Sequence, residues 1–176
     1  RPPRSTLFPY TTLFRSVRQA AASGMVSVDP TAAMKLFREL NINTDSSPTV
    51  RLIMIYLAGQ SGTVEDLTWL TGQLGSNGEG ELAWTAIIDI LKRQDAKVVA
   101  EWSVRLEQNP SVADQIREVL ELAEQKAEAQ KEGALLCDLQ VRLLKWHHGK
   151  GSFEHVAAYR EKLELNNTAK IGRAHV

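Results

Sequence analysis

The chain has 176 residues with 21 basic and 21 acidic side chains, a formal net charge of zero. That length suits one domain or part of a longer one, and a hydrophobic content of 43 % can support a core. No apolar run reaches the roughly 18–20 residues of a membrane span, and the single cysteine, Cys137, excludes an internal disulfide and fits a reducing compartment such as the cytoplasm.

The two ends are set aside before any fold is read. Residues 1–16, RPPRSTLFPYTTLFRS, can be encoded codon for codon by a widely used short-read sequencing adapter, and residues 170–176, KIGRAHV, by its partner. Both are expected to be adapter-derived, with 1–16 disordered, and residues 17–169 to be an open-ended fragment of a longer protein. The ends carry five basic residues, Arg1, Arg4, Arg15, Lys170 and Arg173, and no acidic one. Taking those five from 21 leaves 16 basic against 21 acidic residues. A mildly acidic segment lacks the clustered Lys and Arg that nucleic-acid binding needs.

Residues 17–25 read as the tail of a helix. Asp29 is a strong N-cap with Pro30 at the first helical position, and Ala33, Leu36, Phe37 and Leu40 follow at helical spacing. Residues 41–47 form a polar loop. Ser47 and Pro48 repeat the cap-and-proline start, with Val50, Ile53, Met54, Leu57 and Ala58 inward and a stop at Gln60-Ser61-Gly62. Thr63 opens the clearest unit, a helix hairpin to Gln94. Thr63 with Asp66 makes a loose capping box. Val64, Leu67, Leu70 and Leu74 form the stripe, with Trp69 beside it. Gly75 is expected to end that helix by taking φ > 0. After a turn at residues 76–80, Leu82, Ala83, Ala86, Ile87, Ile90 and Leu91 share a face, and Lys92 and Arg93 suit the negative end of the helix dipole.

Asp95 caps the next helix, with Val98, Val99, Trp102 and Leu106 inward. Asn109-Pro110 breaks it, and Ser111 with Asp114 is expected to restart helix, carrying Ile116, Val119, Leu120 and Ala123. The charged, Ala-rich run 124–133 leads to Gly133, where either the chain breaks or a single helix runs from Val112 to His148, a long helix with a bend or break there being favoured; glycine costs a continuous helix about 1 kcal/mol but does not forbid it. Leu136, Leu139, Leu143 and Trp146 face one way in the following segment. Gly149-Lys150-Gly151 turns the chain, and Ser152 caps a last helix with Phe153, Val156, Ala157, Tyr159 and Leu163 apolar.

The fold class is all-α: antiparallel helix hairpins at about 29–60, 63–94, 95–132 and 133–166, stacked as an α-solenoid with a period of about 33 residues. GKGSFEHVAAYREKLELNN, residues 149–167, resembles the second half of a tetratricopeptide repeat through Gly151, Phe153, Val156, Tyr159 and Leu163. It departs from that pattern in having Val156 and Leu163 where small residues stand, and no closing proline. The central hairpin is as similar to a HEAT-type repeat. Either resemblance implies a protein-binding scaffold.

No site residue is assigned. Zinc needs three or four ligands at close range, and Cys137, His147 and His148 are spaced ten and eleven residues apart without a second cysteine. His155 reads as a surface residue. Cys137 between Leu136 and Leu139 reads as core rather than as a nucleophile. No GxSxG, HExxH or phosphate-cradling loop is present; the glycine-rich stretch 72–81 follows a helix and reads as a turn. Trp69, Trp84, Trp102 and Trp146 read as packing, with sugar stacking the alternative. Glu65, Asp66, Glu79 and Glu81 lie at helix starts, where capping and the helix dipole explain them. The expectation is therefore a non-enzymatic scaffold for a protein or peptide partner, without cofactor or metal. Two alternatives stand beside it: a helical accessory region of a larger enzyme, and part of an α/α toroid carbohydrate-active enzyme.

Overall fold

A computed structural model describes residues 20–173 apart from residue 22 and residues 40–46, with side chains to Asn166. The expectations for residues 1–16 and the loop 41–46 lie outside the described residues. Among the described residues all regular structure is helical, so the all-α expectation holds. The helices are α1 (Pro30–Glu39), α2 (Pro48–Ser61), α3 (Leu67–Gln73), α4 (Gly80–Lys92), α5 (Ala96–Glu107), α6 (Ile116–Ala129), α7 (Gly133–Gly149) and α8 (Phe153–Arg173). A helical stretch at 23–28 precedes them and runs past Met25 to Asp29, whose N–H bonds the Met25 carbonyl. At the other end, α8 continues beyond residue 169 into the segment read as adapter-derived.

The chain divides after Ile90, within α4, into two compact units. In the first, α1 packs on α2. The Asp29 carboxylate accepts from the N–H groups of Thr31 and Ala32, so two of the donors orphaned at a helix start are satisfied. Ala33, Met34 and Phe37 are buried from α1. Helix α2 buries Val50, Met54, Ile55, Leu57, Ala58 and Gly59, so Ile55 and Gly59 join the predicted stripe while Ile53 is only half-buried. The first limb of the central hairpin is shorter than its stripe suggests. Val64–Asp66 form a 3₁₀ turn, and only Leu67–Gln73 are α-helical. Leu67 and Leu70 are fully buried all the same.

The expectation for Gly75 is corrected. Helix α3 ends at Gln73, and the glycine with positive φ in this turn is Gly78, at 84°. The tight bonds Ser76 N–H to Gln73 O and Gly80 N–H to Ser76 O close the turn around it. Left-handed backbone is costly for a residue with a Cβ, which is why glycine stands there.

In the second unit α5 packs on α6, α6 on α7 and α7 on α8. Leu106, Leu120, Leu139 and Leu143 are fully buried along these contacts. Asp95 caps α5 as expected, accepting from the Val98 N–H at 2.9 Å. Helix α6 starts later than Ser111. Asn109 Oδ1 accepts from the Ser111 N–H, Pro110–Val112 wind as a 3₁₀ turn, and α-helix begins at Ile116. The long-helix alternative across Gly133 is also settled, as a break. The Lys131 N–H bonds Glu128 O and the Glu132 N–H bonds Ala127 O, with Lys131 at φ 58°. That bond pair is a Schellman ending, and it places a lysine where glycine is usual. The α7 end repeats the motif, with Gly151 at φ 70°, its N–H on His148 O and the Ser152 N–H on His147 O.

Candidate functional site

Two features of the fold bring polar side chains together. The first lies between α2 and α4. Gly59 and Ala86 are small residues that let the two backbones approach: a Cβ on Gly59 would sit 3.3 Å from the Ala86 Cα. Longer side chains beside them and one turn away then stand up as walls. Tyr56 and Gln60 rise from α2, and Leu82, Thr85 and Asp89 from α4, around a groove of about 230 Å³. The spacing of these residues is helical on both sides, so each wall is one face of its helix. Gln60 donates its amide to the Tyr56 oxygen at 2.6 Å, and Tyr56 remains half exposed. The Thr85 hydroxyl donates to Glu81 O. The floor of the groove is apolar, and a phenol, an amide, a hydroxyl and a carboxylate stand at its rim.

The second feature is a polar seam among α6, α7 and α8. Glu124 is buried, and its carboxylate accepts from Tyr159 Oη at 3.0 Å, Gln140 Nε2 at 3.2 Å and Lys162 Nζ at 3.1 Å. Asn166 donates in turn to Gln140 Oε1. Burial, and then the Glu124 carboxylate, push the Tyr159 phenol far above its usual range, so it serves as a permanent donor. Beside this network His147 is 1 % exposed, with both ring nitrogens buried and without a hydrogen-bond partner.

The side chains whose types could support chemistry are dispersed by the fold. His147 stacks on His155, with centroids 4.6 Å apart and planes 5° apart. Parallel rings carry parallel in-plane lone pairs, which do not converge on one ion. Among the described residues no three His, Cys, Asp or Glu are placed to hold a metal. His155 is exposed and yet engaged in that stack, and His148 is exposed. Cys137 is half-buried rather than core. Trp84 and Trp102 are buried, and Trp102 also lies under Arg105. Trp146 is half-buried beneath Arg117 and Lys150 and donates to Ala113 O at 3.3 Å. Trp69 is half-buried with its Nε1 lacking a partner.

The carboxylates at helix starts take structural partners. Asp66 accepts from the Thr63 N–H at 2.8 Å, from Arg38 Nε at 2.9 Å and from Arg38 Nη2. The hydrogen bond to Asp66 pushes the Arg38 guanidinium up from its ordinary value. Glu79 accepts from Arg51 Nη2 at 2.7 Å and Nε at 3.1 Å. Glu65 and Glu81 are exposed. The two arginine forks are invisible in the sequence, because each joins residues 28 positions apart and leaves no local signal.

Comparison with known proteins adds no relative: no family model, curated protein or solved structure matches the chain.

Proposed function

We propose that this chain is a non-enzymatic helical-repeat scaffold, stacked as an α-solenoid of tetratricopeptide-like or HEAT-like class, which holds a peptide segment of a partner protein in the α2–α4 groove. The observation that carries the reading is the spacing of long-range polar bonds in the second unit. Ala96 N–H bonds Gln130 Oε1, 34 residues on. Arg142 Nε bonds Glu107, 35 residues back. Trp146 Nε1 bonds Ala113 O at a separation of 33, and Tyr159 bonds Glu124 at 35. Lys126 Nζ caps the carbonyls of Lys92 and Gln94, 34 and 32 residues away. Each tie joins a helix, or the turn beside it, to the second one along. A recurrence of this kind near one repeat length is what stacked helical hairpins produce.

A stack of this sort binds by presenting a preformed surface, so little ordering entropy opposes association. The groove offers polar side chains at its rim to a peptide backbone. Panning a displayed random-peptide library tests the reading. The full chain should enrich a convergent motif, and Thr85→Trp, which fills the groove from an exposed position, should weaken binding of that peptide at least tenfold with the helical circular dichroism unchanged. Absence of a convergent motif, or equal binding by the variant, overturns the groove as the binding surface.

A further inference from the structure

We infer that His147 makes the seam between α7 and α8 a pH-sensitive latch: while its ring is neutral α8 stays packed, and a proton on the ring loosens α8 from α7. His147 occupies the last turn of α7, and its carbonyl accepts from the N–H groups of Lys150 and Ser152 in the turn that leads into α8. Its ring is held by three aromatic neighbours. Trp146 meets it edge-on at 5.1 Å, and His155 and Tyr159, both on α8, stack on it at 4.6 and 5.6 Å. The neutral ring is tolerated there as an aromatic body. The protonated ring brings a charge and two N–H donors into a place with no acceptor for either nitrogen.

The surrounding charges do not rescue the cation. On α8, His155 opposes it and Tyr159 stays neutral. On α6, Arg117 opposes it and Glu121 favours it. Burial, then His155, lowers the His147 pKa below 6.5, with Glu121 working the other way. The form in which α8 has lifted therefore binds the proton more readily than the closed form. Closure is fully favoured above the ordinary histidine value and is lost as pH falls from there toward the lowered one. The stress falls on α8 because both stacking partners belong to it and His155 is already exposed. What then holds α8 is Tyr159 and Lys162 on Glu124, and Asn166 on Gln140.

Two measurements on the full chain between pH 7.5 and 5.0 decide it. NMR titration of the His147 ring should give a pKa below 6.5. Hydrogen exchange, corrected for intrinsic rate, should show the opening constant of α8 rising toward tenfold per pH unit as pH falls, the slope of one proton, while α6 keeps its protection. His147→Phe keeps the stack and should flatten that slope. A ring that titrates at or above 6.5, a slope retained in the variant, or protection lost equally from α6 and α8 would each overturn the latch. Should the variant fail to fold, the ring titration and the helix-resolved exchange of the unaltered chain still decide between a latch and a passive core histidine.

Discussion

Arg51 and Glu79 show what a buried carboxylate demands of the rest of a chain. The Glu79 side chain is 7 % exposed and the Arg51 side chain 25 %, and a two-nitrogen fork joins them. Desolvation offsets much of such a pair's attraction, whereas removing one partner leaves the other buried and uncompensated. Arg51→Met should therefore cost about 2 kcal/mol in urea unfolding, below the range for fully buried pairs because Arg51 reaches solvent. Arg51→Met combined with Glu79→Met should recover most of that loss. A double variant no more stable than the single one would show that the pair contributes net attraction. Nothing near Arg51 in the sequence announces this partner. Local pattern places Glu79 only at a helix start, since pairing across 28 residues is fixed by tertiary packing.

Helix ends divide into those legible in the sequence and those that were not. Asp29 and Asp95 were legible because a cap acts on N–H groups within three residues of itself. The start of α6 was not. Asn109 engages the Ser111 N–H and tightens the chain into a 3₁₀ turn, which postpones the α-helix to Ile116. The end of α6 carries no sequence signal either, since Lys131, not Gly133, takes the left-handed backbone and lysine has no preference for it. That mismatch makes Lys131→Gly a test of the helix end. Left-handed backbone costs a residue with a Cβ about 1–2 kcal/mol, and glycine gives back about 0.5–1 kcal/mol through unfolded-state entropy. The variant should gain about 0.5–1 kcal/mol, read as a higher urea midpoint at constant m. A loss would mean that the Schellman ending is not the conformation in solution. The buried polar residues Glu124, Gln140 and His147 were equally hidden, because a stripe of leucines says nothing about which polar side chains are carried inward with it.

For the whole molecule the question is whether stability is local or shared. Helix starts recur along the chain, with first helices or their leading turns at Pro30, Val64, Ala96 and Gly133 and second helices at Pro48, Gly80, Ile116 and Phe153. In a repeat array each element contacts only its near neighbours, so a defect spreads only as far as those contacts. Leu139 in α7 is fully buried, and α7 packs on α6 and α8. Leu139→Ala should cost about 2–5 kcal/mol where it acts, by lost transfer energy and the cavity left behind. Native-state hydrogen exchange then separates two architectures. For a repeat array, protection falls in α6, α7 and α8, and in α5, to which Arg142 of α7 is bonded through Ser103 and Glu107. Helices α1 and α2 keep theirs. For a single cooperative core, protection falls by the same amount in every helix, and the scaffold reading loses the one-dimensional stack on which it rests. The spacing of the polar ties near one repeat length favours the local outcome, because each such bond couples a helix to its second neighbour and to nothing more distant.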